Sequence, residues 1–260
     1  MVEETLKRAI KGWVKNPVLS VPFIIVAAIA FTLLFLFLVK SGISPENIEA
    51  ALSGRFLIQF VMFFLLLVVI YAFIFAGALG MCLEVYEKGK TSFSTLFTGG
   101  KKYFGKVFVT TLILLLIILT IFAVISVLLI QISKPIIKNE SLLSGAFLVT
   151  DIVVVVLLSM FFLLAPYLAV TKSLRILESF FISVKLVRKN YFAFLILVAI
   201  FLITSSLLQL IPYVGDVINI IVITPIQTLA FVIFINKIYS KSLGGESLKT
   251  KKGVKKKITQ

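Results

Sequence analysis

Histidine is absent from the 260 residues, and cysteine and tryptophan occur once each. Without His the chain lacks the commonest general base and the commonest metal ligand. The lone Cys82 cannot close an internal disulfide, so no oxidising compartment is implied. There is no His-Glu pair of a metalloprotease, no Cys/His cluster for zinc and no phosphate-binding glycine loop. The serines have no histidine base, and the lysines that could serve a Ser-Lys dyad sit nearly all at the edges of apolar runs. No enzyme activity and no cofactor are expected. Acidic residues are few, 11 against 26 Lys and Arg. The basic loops nevertheless show neither zinc-finger spacing nor the aromatic pattern of RNA binders, so nucleic acid is not an expected partner.

What the chain does have is apolar length. Hydrophobic residues make up 60% of it, charged residues only 14%, and phenylalanine alone occurs 25 times, a balance unlike that of a water-soluble domain. Six runs stand out: Val18 to Val39, Phe56 to Leu83, Val107 to Ile130, Ala146 to Val170, Tyr191 to Ile211 and Val217 to Ile235. About 20 helical residues cross the ~30 Å hydrocarbon core. Backbone in lipid must satisfy its own hydrogen bonds, which unbroken apolar runs do as helices. The first run is longer than the apolar stretch of a cleaved signal peptide and reads as a retained helix. The expected fold is all-α: a polytopic membrane bundle of six transmembrane helices in three hairpins, over residues 1–239. Residues 240–260, with Gly244-Gly245 and a lysine cluster, read as a basic disordered tail.

Orientation follows from the lysines and arginines. All 26 except Lys40, Arg55, Lys134 and Lys138 fall on one side, at the N-terminus, the second-to-third and fourth-to-fifth loops and the C-terminal end. Both termini are therefore expected to be cytoplasmic in a cell membrane, and topology accounts for the net charge of +15.

A threefold pattern runs through the chain. The basic junctions Lys15-Asn16-Pro17, Lys101-Lys102-Tyr103 and Lys189-Asn190-Tyr191 recur at nearly equal intervals, each ahead of an outgoing helix. This fits a repeated hairpin, and equally the regularity of any six-helix protein with short loops. The segments before the junctions read as short amphipathic helices on the cytoplasmic side. Val2, Leu6, Ile10, Trp13 and Val14 share one face of the first, with Trp13 at interface depth. Leu174, Leu177, Phe180, Phe181, Val184 and Val187 form a stripe on the third, and Lys172, Arg175, Lys185 and Lys189 its charged side. The second, Ser92 to Phe97, is expected to end near Gly99-Gly100. Lys101, Lys102, Arg188 and Lys189 are candidate contacts for anionic lipid headgroups.

Polar groups inside the runs are candidates for function because lipid makes them costly. Asp151 lies near the outer end of the fourth run, where it reads either as a water-reaching carboxylate or as a cation or proton site. Gln59, Gln209, Asn219 and Gln227 could bond between helices. Pro166 and Pro225 remove backbone donors and should kink the fourth and sixth helices. Ala76-Gly77-Ala78 and Gly80 permit a close helix contact. In the loops, Ser44-Pro45-Glu46 reads as a helix start, and Pro212 to Asp216 as a tight turn.

The stretch APYLAVTKSLRILESFFISVKLVRKNYFAFL, from Ala165 to Leu195, leads from a proline-containing helix into an amphipathic segment with a Ser-x-x-Leu-x-x-x-Asn run at Ser183, Leu186 and Asn190. Together with the loop at Ser92 to Phe104, it resembles a family of uncharacterised archaeal and bacterial six-helix membrane proteins. That family is related to the membrane domain attached to some glycerophosphoryl diester phosphodiesterases. The resemblance implies a polytopic membrane domain. It does not imply the phosphodiesterase activity, whose catalytic barrel needs His and Glu. The expected role is that of an accessory protein organising lipids or protein partners at the cytoplasmic leaflet; the alternative is a small transporter or channel for a lipid or small solute.

Overall fold

The computed structural model describes residues 1–41, 54–133 and 153–257, and all of its regular structure is helical. The helices are α1 (Val2–Lys15), α2 (Val21–Ser41), α3 (Gly54–Lys88), α4 (Phe93–Ser133), α5 (Ala165–Thr171), α6 (Ile176–Lys189), α7 (Tyr191–Gln209), α8 (Val214–Ile218) and α9 (Thr224–Lys257). A 3₁₀ turn, Pro17–Ser20, joins α1 to α2, and a π-helical stretch, Asn219–Ile223, joins α8 to α9.

Five described helical stretches are long and apolar enough to cross a membrane: Pro17–Lys40, Ile58–Lys88, Phe93–Leu128, Tyr191–Gln209 and Val214–Lys241. In the first four, most side chains stay outside the core, whereas more than half of the fifth is buried. Phe31 is 75%, Ile58 68% and Leu116 63% exposed. Such surfaces suit lipid and not water. The chain is a multi-pass helical membrane protein.

The fourth expected span, 146–170, is described only from 153, and there it is not one helix. It is helical over 153–159, turns over 160–164, and resumes as α5. The cause is Pro166, whose ring brings no N–H to Phe162. The Ala165 N–H takes the Phe162 carbonyl instead, at 3.0 Å, and tightens the chain. Among the described residues five continuous spans are present, and this segment is not one of them. The expected break at Gly99-Gly100 is corrected: α4 runs unbroken through both glycines and through Lys101-Lys102-Tyr103. The helix α9 continues without a break past residue 239.

The chain divides into two compact units. One comprises Met1–Phe108 and Ala193–Phe234; the other comprises Val109–Phe192 and Ile235–Gln260. In the first, α3 and α4 meet at their glycines. A Cβ on Gly77 would lie 2.3 Å from the Leu96 carbonyl oxygen, and one on Gly80 would lie 3.1 Å from the Gly99 Cα. The close contact anticipated at Gly77 and Gly80 is present, with Gly99 as its unforeseen counterpart. Phe194 packs against Phe231 and Phe234, with ring centroids 5.8 Å apart in both cases. The tight turn after α7 is also present. The Val214 N–H bonds to the Pro212 carbonyl around Tyr213, whose φ is +60°. Gly215 packs against the Leu208 carbonyl with no room for a Cβ. In the second unit the core holds Met160, Leu164, Leu168, Phe180, Leu186, Val187, Ile235 and Ile238.

Candidate functional site

The two amphipathic helices, α1 and α6, are alike in detail. Each is 14 residues long and ends on a lysine followed by asparagine. The Asn16 side chain donates to the Gly12 carbonyl at 2.9 Å, and that of Asn190 to the Leu186 carbonyl at 3.0 Å. An amide at the helix end thus satisfies a carbonyl left over there. Asn16 does more. It also donates to the Gly89 carbonyl at 3.1 Å and accepts from the Thr91 N–H at 3.2 Å, tying α1 to the turn between α3 and α4. Gly89 makes that turn possible with φ at +76°.

The faces these helices bury only partly follow the apolar stripes read from the sequence. α1 buries Thr5 and Ala9, whereas Ile10 and Val14 are exposed. α6 buries Ser179, Ser183 and Leu186 along with Phe180 and Val187, but leaves Leu177 and Phe181 outside, the latter 76% exposed. Small residues let helices approach closely, and an apolar side chain gains little by leaving lipid. Periodicity therefore marked the amphipathic helices without marking which side faces protein.

Ser183 has a specific task. With Ala165 bonded to Phe162, the Phe161 carbonyl lacks its usual donor, and the buried Ser183 hydroxyl donates to it at 2.7 Å. Pro225 poses the same problem in the first unit, bringing no N–H to the Ile221 carbonyl. The buried Ser20 hydroxyl donates there, and accepts from the Trp13 indole N–H at 3.0 Å. Both prolines expected to kink their helices do lie beside irregular backbone. The serines that complete them are contributed from far along the chain, and no local pattern announced them.

The intramembrane polar candidates are not assembled into one site. Asp151 lies outside the described residues. Gln59 is exposed and lines a groove of about 350 Å³ with Lys40, Leu33, Phe37 and Met62. Gln209 is exposed at the end of α7, and Gln227 is half-buried. Asn219 accepts a hydrogen bond from Ser205 at 3.0 Å, a helix-to-helix bond of the kind expected. Among the described residues none of these four amides bonds to another, and no three His, Cys, Asp or Glu side chains converge as metal ligands would.

The basic candidates divide between the units. Lys101 and Lys102 are exposed on α4 in the first unit, with the Lys102 Nζ 5.0 Å from the centroid of the Tyr103 ring. The same unit holds a small basic pocket of about 260 Å³ lined by Arg8, Lys11, Lys15, Tyr86 and Gly89. Arg188 and Lys189 are exposed on α6 and, with Lys185, edge a larger groove of about 820 Å³. Its walls are Ile113 and Ile117 of α4, Phe162 at the proline break, and Leu177, Phe180, Phe181 and Val184 of α6. This groove lies wholly within the second unit.

No family model matches this chain, and no curated protein or solved structure matches it either.

Proposed function

We propose that this protein is a non-enzymatic membrane protein that organises anionic lipids at its lysine-rich face. Its charge distribution supports a cytoplasmic position for that face and for both termini. On this reading a sixth span covers 146–170, interrupted at Pro166. The reading keeps to what the resemblance at Ala165 to Leu195 implies, a polytopic membrane domain without phosphodiesterase activity.

One observation carries it. Both α1 and α6 turn large apolar side chains and cations outward together: Ile10 and Val14 beside Arg8, Lys11 and Lys15, and Leu177 and Phe181 beside Lys185, Arg188 and Lys189. In water that face would be an exposed apolar patch. In the headgroup layer it meets acyl chains and phosphates at once. The test is to purify the protein gently from its own membranes and weigh its retained lipids by native mass spectrometry. Anionic lipids should be enriched over the surrounding membrane, and changing Lys101, Lys102, Arg188 and Lys189 to Gln should remove the enrichment. An unchanged lipid profile would end the lipid reading.

The second reading, a small transporter or channel, draws on the π-helical stretch ahead of Pro225, since broken helices build transporter sites. The freed carbonyl there is taken by Ser20, and Asn219 is taken by Ser205. Both groups thus serve packing, which favours the first reading.

A further inference from the structure

We infer that the groove on α6 is a discrete site for one membrane lipid with an anionic headgroup, with its acyl chain against the apolar walls and its phosphate at the cationic end. This rests on the lipid-organising reading and goes beyond it: it assigns one groove, one lipid class and three headgroup residues.

The argument starts from the register of α6. Leu177, Phe181, Val184 and Arg188 follow one another at helical spacing along a single stripe, flanked at its end by Lys185 and Lys189. The stripe therefore begins apolar and ends cationic. All of these residues line the same groove. A lipid has the same two-part order along its length. The opposite wall, Ile113, Ile117 and Phe162, is wholly apolar, so charge enters from one end only. The volume of about 820 Å³ lies within the range of pockets that enclose small ligands.

Two features make the groove more than a dimple on a lipid-facing surface. Its wall at Phe162 lies in the segment that Pro166 breaks, and the Ser183 hydroxyl fastens α6 to that segment through the Phe161 carbonyl. The groove is thus held open by a bond made for the break. At its charged end, Arg188 offers the planar fork of donors that suits a phosphate, with two lysines within a turn. The last-turn cations also offset the α6 dipole. The test must therefore read lipid class and not stability.

Trp13 is the only tryptophan, which permits a fluorescence experiment. A W13F/F181W variant places the reporter in the groove, while the wild-type protein reports from α1. Both are reconstituted in phosphatidylcholine vesicles carrying rising fractions of brominated phosphatidylglycerol or brominated phosphatidylcholine, whose bromines quench tryptophan on contact. The tryptophan at 181 should reach half-quenching at a phosphatidylglycerol fraction at least tenfold below that for phosphatidylcholine. A cation near an anionic lipid is worth about fivefold. Adding R188Q should shrink the preference about fivefold, and adding K185Q/R188Q/K189Q should abolish it while quenching by phosphatidylcholine stays the same. Because R188Q changes one exposed side chain, it keeps the test valid if the triple variant fails to fold.

Equal quenching by both lipids at 181, or a preference that survives the triple change, overturns the site. If Trp13 still favours phosphatidylglycerol in that case, the broad lipid reading stands and only the groove falls. If neither position shows a preference, both fall.

Discussion

Replacing Gly77 by Ala tests how α3 and α4 are held together. The added Cβ would sit 2.3 Å from the Leu96 carbonyl oxygen and 2.6 Å from its Cδ1. Ordinary carbon-to-oxygen contacts lie near 3.3–3.6 Å, so the crossing must open by about 1 Å. A flexible side chain could yield, but the first obstacle is the backbone of α4, which moves only as a helix. A gap of about 0.5–1 Å already forfeits a quarter to a half of each contact's dispersion well, and Gly80 against Gly99 would be separated in the same movement. Overpacking costs ~1–3 kcal/mol. Alanine returns at most ~1 kcal/mol of helix propensity. The net expectation is a loss of ~2 kcal/mol, taking the upper end of the overpacking range. Gly105, also in α4, has open space where its Cβ would go. Gly105→Ala should be neutral or stabilising by up to ~1 kcal/mol. Thermal unfolding of both variants in one detergent, followed by circular dichroism, measures the difference. If Gly77→Ala melts at or above the wild type, or the two variants shift alike, the close-packed crossing is wrong.

Ser183→Ala should cost ~1–3 kcal/mol, because it leaves the part-buried Phe161 carbonyl without its donor; a thermal midpoint equal to that of the wild type would show that the carbonyl has another donor. Ser20→Ala should destabilise by a similar ~1–3 kcal/mol and shift the Trp13 emission, since the indole N–H loses its acceptor; unchanged emission would refute the Trp13–Ser20 bond. Asn16→Ala should be clearly more damaging than Asn190→Ala in the same melt, since Asn16 makes bonds to Gly12, Gly89 and Thr91 while Asn190 caps its own helix. Equal effects would argue against the clasp. Glu84→Ala should loosen the start of α4, because its carboxylate accepts from Thr91 at 2.9 Å and Thr95 at 2.6 Å; faster hydrogen exchange over 91–96 is the expected readout, and unchanged exchange would count against that anchoring.

By itself the sequence determined the environment of this protein. Long apolar runs need no partner to declare themselves, because a helix in lipid satisfies its backbone internally. Local amphipathic pattern was equally legible: α1 and α6 lie where the periodicity put them, and the Lys-Asn junctions end both. The second junction, Lys101-Lys102-Tyr103, differed because Gly99 and Gly100 do not stop a helix when Gly80 and Phe73 pack over them.

Tertiary structure decided which face of each helix is buried and how the proline breaks are completed. In water, hydrophobicity alone sorts inside from outside; in lipid that preference nearly vanishes, and close approach and hydrogen bonding take over. Thr5, Ala9, Ser179 and Ser183 are therefore inside while Ile10, Val14, Leu177 and Phe181 are outside. Ser20 meets Ile221, and Ser183 meets Phe161, only because folding brings distant segments together. The groove edged by Lys185, Arg188 and Lys189 belongs to the same class of fact: its cations stood in the sequence, but its apolar wall comes from two other segments of the chain.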